Sequence, residues 1–238
     1  MKRLALAAAL LAASALVAGA ASAQSIVTDT APAPAWTGPY VGLDLGYVHG
    51  TGHDKSATPS SLSASGFTGG VEVGNLWQVS PHFYLGLMAD ARGLMPVRGK
   101  TAPRVVCPAV YCGTDITETD SVSFNMLTTA RLVAAVAPWQ RTLFSVSFGG
   151  AYADVSTGYH SSDGFGAKQH QATFGWAVGA RGEYAFTRTL SAGLDFVYAS
   201  MNGDGYEYGG GGYHYNPPQQ TVDGYIIGVV LGWRNNIL

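Results

Sequence analysis

The stretch that decides the fold is GWAVGARGEYAFTRTLSAGLDFVYA, residues 175–199. In its first half, apolar residues alternate with glycines and charges: Trp176, Val178, Ala180 and Tyr184 lie between Gly175, Gly179, Arg181 and Glu183. A repeat of two residues is the pattern of a β-strand with two different faces. A short polar connection at 187–189 follows, and a second strand of the same kind begins after it. The stretch therefore predicts an antiparallel hairpin.

The same alternation recurs along the chain, and no segment has the periodicity of an amphipathic helix. Eight segments reach the roughly 9–11 residues that a tilted membrane-spanning strand needs. They are residues 38–49, 66–78, 83–93, 121–136, 142–155, 171–186, 190–201 and 221–234. Short connections near 79–82, 137–141 and 187–189 alternate with long polar ones near 50–65, 94–120, 156–170 and 202–220. This layout predicts an all-β fold, an eight-stranded antiparallel up-and-down transmembrane β-barrel with short periplasmic turns and four long outer loops.

Composition decides which face of the strands points outward. The chain is 47% hydrophobic and 12% charged, whereas soluble domains have about 25% charged residues. A soluble, lipocalin-like barrel would place the apolar face inside and the other face in water. Here the other face is mostly Gly, Ala, Ser and Thr, and it has too few charged side chains to form the outer surface of a soluble barrel. The apolar face is therefore predicted to contact lipid.

The formal net charge is −2. The sequence therefore predicts no basic patch that would bind nucleic acid.

Charged residues within the strands all fall on the polar, inward face. They are Asp44, Glu72, Asp90, Arg92, Arg131, Arg181, Glu183 and Asp195. An eight-stranded barrel is just wide enough for side chains to fill it, and unpaired charges there are costly. We therefore expect a hydrogen-bonded charge network that plugs the lumen. A narrow, low-conductance channel remains the alternative, since rearrangement of such a network would open a path.

Aromatic residues on the apolar face gather near the two ends of the strands. The predicted girdles comprise Tyr47, Phe67, Trp77, Phe83, Tyr152, Phe186, Tyr198, Tyr225 and Trp233, with Phe124 and Phe144 assigned to the same rims. Aromatic side chains at these levels are typical of a membrane–water interface.

The N-terminal residues have the pattern of an export signal. A basic start, an apolar stretch and Ala21-Ser22-Ala23 predict a cleaved signal peptide over 1–23. A Pro/Ala-rich leader over 24–36 and a barrel over 37–238 follow. In an oxidising compartment, Cys107 and Cys112 are expected to form a small loop disulfide.

Candidate ligand and catalytic residues lie in the long connections. Five histidines in or beside these connections could bind haem or a divalent metal: His49, His53, His160, His170 and His214. No HxH or HxxxH spacing supports a metal site, and no cofactor is predicted. His160-Ser161-Ser162-Asp163 superficially resembles the His-x-Ser motif of outer-membrane lipid deacylases, yet a polar turn is the favoured interpretation. The loop GDGYEYGGGGYHYNPPQ, residues 203–219, has tyrosines suited to adhesive contact.

Three stretches resemble the small outer-membrane β-barrel porin family of Gram-negative bacteria, with its opacity- and OmpA-like eight-stranded barrels. WTGPYVGLDLGY (36–47) is similar to its first strand, NMLTTARLVAAVAPWQRTLFSVSFGGAYADV (125–155) to its fourth and fifth, and 175–199 to its sixth and seventh. The chain departs from that family after Arg234, where no aromatic residue follows for the assembly machinery to read.

The resemblance implies a protein of the outer membrane, inserted by the barrel assembly machinery. Its expected partners are outer-membrane lipid, lipopolysaccharide and a host or surface ligand that contacts the loops. The predicted role is structural and surface-exposed, in envelope integrity, adhesion or host contact, and is not enzymatic. A lipid A-modifying enzyme is the third hypothesis, after the channel.

Overall fold

The computed structural model describes residues 36–54, 61–100, 104–107, 113–162, 164, 166–203, 208–210, 213–215 and 220–234. Eight long strands form the main sheet: β1 (Gly38–Asp54), β2 (Ser61–Ser80), β3 (Phe83–Lys100), β5 (Ile116–Trp139), β6 (Thr142–Ser161), β7 (Gly166–Ala185), β8 (Leu190–Gly203) and β11 (Gln220–Arg234). Three short strands accompany them: β4 (Arg104–Cys107), β9 (Tyr208–Gly210) and β10 (Tyr213–Tyr215). Among these residues, no helix is long and apolar enough to cross a membrane.

The eight long strands close into a barrel. Each pairs antiparallel with its neighbour in the chain, and β1 pairs with β11 from Tyr40–Arg234 to Asp54–Gln220. The predicted fold class, a closed eight-stranded antiparallel barrel, is confirmed. We call the end with the turns at 81–82, 140–141 and 186–189 the turn end, and the opposite end the loop end.

Several strands continue past their predicted limits at the loop end. β5 begins at Ile116, β6 continues to Ser161, and β7 begins at Gly166. The predicted long loop near 156–170 is thus mostly a paired hairpin, in which His160 lies opposite Gly166. The side-chain pattern missed these extensions because backbone ladder bonds form without apolar alternation. The pattern marks only the part of each strand that has an apolar face.

The barrel is apolar outside and polar inside. Leu43 and Leu194 are 62% and 68% exposed, whereas the neighbouring Asp44 and Asp195 are each 4% exposed. Successive side chains on a strand point to opposite faces, so the charged face lines the lumen. Soluble barrels have the reverse arrangement.

Phe124 is an exception to the predicted faces. It was assigned to an outer rim, but its side chain is buried in the lumen. The β5–β6 register shifts between Phe124 and Met126. Such a bulge adds one residue to the strand and reverses which side chains face inward. The sequence period alone carries no sign of it.

Candidate functional site in the barrel lumen

The lumen contains three layers along its axis. At the turn end lies an apolar cluster that includes Trp36, Tyr40 and Tyr84. At the loop end lies a second apolar cluster that includes Phe124 and Leu127. Between them all eight predicted lumen charges are buried: Asp44, Glu72, Asp90, Arg92, Arg131, Arg181, Glu183 and Asp195.

Arg92 is the centre of the charged layer. Its Nη2 donates to Asp195 Oδ2 at 2.7 Å. Its Nε lies 3.1 Å from Asp90 Oδ1 and 3.4 Å from Asp44 Oδ1. One guanidinium therefore holds three carboxylates that come from three strands, β1, β3 and β8. A charge-assisted contact of this kind is stronger than one between neutral groups.

Arg181 extends the layer toward the turn end. Its Nη1 and Nη2 donate to the two carboxylate oxygens of Glu72, each at 2.6 Å. Its Nε donates to Asp195 Oδ1 at 3.1 Å. Asp195 therefore connects Arg181 with Arg92, and the bidentate pair with Glu72 fixes the plane of the guanidinium.

Arg131 completes the layer beside Asp90. Its Nη2 donates to Asp90 Oδ2 at 2.8 Å, and its Nη1 donates to Ser147 Oγ at 3.1 Å. Thr129 Oγ1 also donates to Asp90 Oδ2. Asp90 thus holds contacts with Arg92 and Arg131 at once.

Arg234 belongs to the same network, although the sequence reasoning did not include it. Its Nη2 donates to Glu183 Oε2 at 3.0 Å, and Ser191 Oγ donates to the same oxygen at 3.0 Å. Its guanidinium carbon lies 4.9 Å from the ring centre of Trp36 and 4.6 Å from that of Tyr40. The alternation along β11 indicates that Arg234 points inward, and this pattern could have identified it as a lumen residue. Nothing in the sequence pattern pairs it with Trp36.

Glycines leave the room that the long polar side chains occupy. A Cβ at Gly42 would lie 2.6 Å from Glu72 Cγ, and one at Gly74 would lie 2.5 Å from the Tyr40 ring. Any larger residue would force these side chains to move. The small residues of the inward face thus permit the charged layer, as the alternation predicted.

The charges of the layer do not balance. Five carboxylates (Asp44, Glu72, Asp90, Glu183 and Asp195) face four guanidinium groups (Arg92, Arg131, Arg181 and Arg234) among the described residues. Asp44 has the weakest contacts, because neither of its carboxylate oxygens accepts a hydrogen bond from the described part of the chain. Its ion pair with Arg92 is correspondingly long.

Apart from Phe124, the predicted girdle residues lie on the outward face of the strands. At least 38% of the side chain is exposed for Tyr47, Phe67, Trp77, Phe83, Phe186, Tyr225 and Trp233. Tyr152 and Tyr198 are partly covered by neighbouring rings, with ring centres 5.2 Å from Phe174 and 5.6 Å from Trp176 respectively. Trp139 is a further outward aromatic residue, next to Phe144.

The histidines whose side chains are described do not converge on one point. His49 Nδ1 is hydrogen-bonded to Ser65 Oγ at 2.7 Å, and His170 Nδ1 to Ser156 Oγ at 2.8 Å. Within the described ranges, no group of three or more His, Cys, Asp or Glu residues could hold a metal ion.

The His160-Ser161-Ser162 sequence lies at the end of β6 and in the turn that follows it. His160 is exposed and Ser161 is buried. Ser162 Oγ accepts the backbone N–H of Thr117 at 3.1 Å, which ties this hydroxyl of the β6–β7 turn to the start of β5.

Several predictions concern residues outside the described ranges. Cys112, the signal peptide over 1–23 and the leader up to residue 35 lie there, so the disulfide with Cys107 and the cleavage stay predictions. Trp36, the last residue of the predicted leader, lies buried at the turn end of the barrel.

Comparison with known proteins gives matches over most of the chain. The family model described as outer membrane protein beta-barrel domain matches residues 6–234. The 31 kDa outer-membrane immunogenic protein of Brucella melitensis is 27% identical over 209 residues, which cover 79% of this chain and 83% of that protein.

Solved structures with a similar strand arrangement include two small outer-membrane proteins. Ail, the attachment invasion locus protein of Yersinia pestis, has a TM-score of 0.39 at 9% identity over 82% of this chain and 99% of that one. OprG of Pseudomonas aeruginosa has a TM-score of 0.44 at 12% identity over 84% of this chain and 97% of that one.

Proposed function

The chain belongs to the outer membrane protein β-barrel domain family, and from this we propose that it is a plugged barrel that supports the envelope and makes surface contacts through its outer loops. It is a protein of the outer membrane of a Gram-negative bacterium. The loop end then faces the outside and the turn end the periplasm.

The proposal extends to maturation and partners. Residues 1–23 act as a cleaved signal peptide, 24–36 as a periplasmic leader and 37–238 as the barrel, which the assembly machinery inserts. The outward apolar face and the girdles contact outer-membrane lipid and lipopolysaccharide. A host or surface ligand contacts the loops. The name of the Brucella relative, an immunogenic outer-membrane protein, supports exposure at the cell surface.

The observation that carries the plugged state is the continuous set of contacts across the lumen. From Arg234 through Glu183, Arg181 and Asp195 to Arg92, each member lies within 3.6 Å of the next. Apolar clusters lie above and below this chain of ion pairs. Ions would have to displace paired charges in order to pass, which is costly at this burial.

Purified, folded protein in planar lipid bilayers is expected to give no stepwise ion current. A mobility shift between unheated and boiled samples on a gel first establishes that the inserted protein is the closed barrel. A steady, small conductance from that preparation would favour the alternative function, a narrow channel.

The third hypothesis is tested separately, because a lipid A-modifying enzyme would change the lipid A mass spectrum when it is expressed.

A shortened fourth loop should separate adhesion from envelope support. Gly203 of β8 pairs with Gln220 of β11, so an Asn-Gly turn can replace residues 204–219 without altering the barrel. Cells that carry this variant are expected to keep the detergent resistance of wild-type cells and to lose surface adhesion. A strain without the protein is the control and should lose both. Unchanged adhesion with the shortened loop would contradict the surface role that we assign to it.

A further inference from the structure

Asp44 is the least satisfied charged group of the layer. It is 4% exposed, and neither of its carboxylate oxygens accepts a hydrogen bond from the described residues. The other four carboxylates of the layer each accept a hydrogen bond at 3.0 Å or shorter: Glu72, Asp90, Glu183 and Asp195. A buried carboxylate that has no donor is costly in its charged form.

The polar atoms beside Asp44 include acceptors that also have no partner. Thr68 is 2% exposed, and its Oγ1 makes no hydrogen bond with the described part of the chain. Asp44 lies opposite Gly70, and Thr68 lies opposite Gly46, so Asp44 and Thr68 are diagonal neighbours on the inward face. Asp90 Oδ1 likewise accepts no hydrogen bond from the described residues. A proton on Asp44 would give these acceptors a donor.

Arg92 brings Asp44 and Asp90 to one site. Its Nε lies 3.4 Å from Asp44 Oδ1 and 3.1 Å from Asp90 Oδ1. This nitrogen carries a single N–H, and it makes no hydrogen bond with either oxygen. Two carboxylates that share a site repel each other when both are ionised, and one proton between them removes the repulsion.

The charge of the layer also favours one more positive charge at Asp44. The charged groups that face Asp44 are on β2, β3 and β8, while β11 presents apolar side chains to it: Glu72, Asp90, Arg92 and Asp195, with Ile226 and Val230 on β11. Glu72 and Asp195 are already bonded to Arg181. Because five carboxylates face four guanidinium groups among the described residues, one bound proton makes the layer neutral.

We propose that the folded barrel binds one proton at Asp44 at neutral pH, and that Asp44 donates it in a hydrogen bond to Asp90 Oδ1. A proton needs one acceptor, whereas a metal ion needs several oxygen ligands and would lie against the guanidinium of Arg92. The bound proton links the stability of the barrel to pH. The inference is independent of the plugged state, because the proton is bound whether or not ions cross the charged layer.

Infrared spectroscopy of the folded protein tests the proposal. A protonated carboxylic acid has a C=O stretching band that an ionised carboxylate lacks. In a detergent without ester groups at neutral pH, wild type is expected to show this band and Asp44→Asn to lose it. The matched control is Asp154→Asn, which should keep the band, since Asp154 is partly exposed on β6 and accepts a hydrogen bond from Asn125 at 3.1 Å.

The pH dependence of unfolding gives a second measurement. Above the pH range in which an exposed aspartate ionises, the unfolded chain has released the proton that the folded barrel holds. Stability therefore falls as the pH rises, by up to about tenfold in the unfolding equilibrium constant for each pH unit, until the folded barrel also releases its proton. Asp44→Asn lacks this proton. The ratio of the wild-type to the Asp44→Asn unfolding constant, from urea titrations in lipid vesicles, should thus rise with pH.

The proposal is overturned if wild type lacks the infrared band at neutral pH, if Asp44→Asn keeps it, or if the ratio of unfolding constants does not change with pH. Folding of each variant is checked by the gel mobility shift on boiling. If Asp44→Asn does not fold, NMR of wild type with ¹³C-labelled aspartate carboxyl groups replaces it. One aspartate resonance should then be that of a protonated carboxyl group at neutral pH, and its absence would equally overturn the proposal.

Discussion

Arg92→Met is expected to destabilise the folded barrel by about 3–5 kcal/mol. The variant removes the one cation that contacts Asp44, Asp90 and Asp195 together. Arg131 and Arg181 still reach two of these carboxylates, but Asp44 loses its ion pair. The layer then has five carboxylates facing three guanidinium groups at a depth where water does not compensate them.

Urea unfolding of the protein in lipid vesicles, followed by tryptophan fluorescence, measures this loss. Trp77, Trp139, Trp176 and Trp233 are outward-facing, so their emission changes when they leave lipid. The matched control is Asp44→Asn, which changes a carboxylate in direct contact with Arg92. Because Asp44 accepts no hydrogen bond from the described residues and its removal balances the charges at four and four, this variant should change stability by less than about 1 kcal/mol.

The contrast between the two variants decides the role of the layer. If Arg92→Met were as stable as Asp44→Asn, the arginine would not be holding the carboxylates. The network would then be incidental to the stability of the barrel, and the basis of the plugged state would be lost.

Arg234→Gln is expected to cost a similar amount, about 3–5 kcal/mol, and to weaken the closure of the barrel. Arg234 lies on the last strand and pairs with Tyr40 of the first strand. Its side chain lies against the Tyr40 and Trp36 rings and is bonded to Glu183 of β7. A cation–aromatic contact adds about 0.5–2 kcal/mol to the ion pair.

The temperature at which the unboiled form converts to the unfolded form on a gel measures this effect. Arg234→Gln should convert at a clearly lower temperature than wild type. Arg234→Lys keeps the charge but lacks the planar group that lies between two rings and a carboxylate, so an intermediate value is expected. Lys100→Gln changes an exposed residue at the loop end of β3 and serves as the control, with no shift. Equal conversion temperatures for all four proteins would contradict the proposed role of Arg234 in closure.

Much of the fold could be read from the sequence, because the repeat of two residues is visible without coordinates. Val41, Leu43 and Leu45 alternate with Gly42 and Asp44, and the structure places the two sets outside and inside. The low charge content then selected the orientation, since so few polar side chains cannot solvate the outer wall of a barrel.

The limits of that reasoning lie where the period breaks. The bulge between Phe124 and Met126 reverses the face of Phe124. The polar outer ends of β5, β6 and β7 are strands because their backbones pair, whatever their side chains. Trp36 precedes β1 and has no alternation to show that it folds against Arg234.

By itself the sequence determined which residues face the lumen wherever the repeat of two residues is unbroken, because direction along a regular strand depends only on neighbours in the chain. Which charges meet there was decided by the tertiary structure. Glu72 and Arg181 are 109 residues apart, and Arg92 and Asp195 are 103 apart. Their heights in the barrel depend on the register of every strand between them and on the stagger needed to close eight strands. A local pattern cannot encode the combined effect of these registers, so the ion pairs of the plug exist only once the barrel has closed.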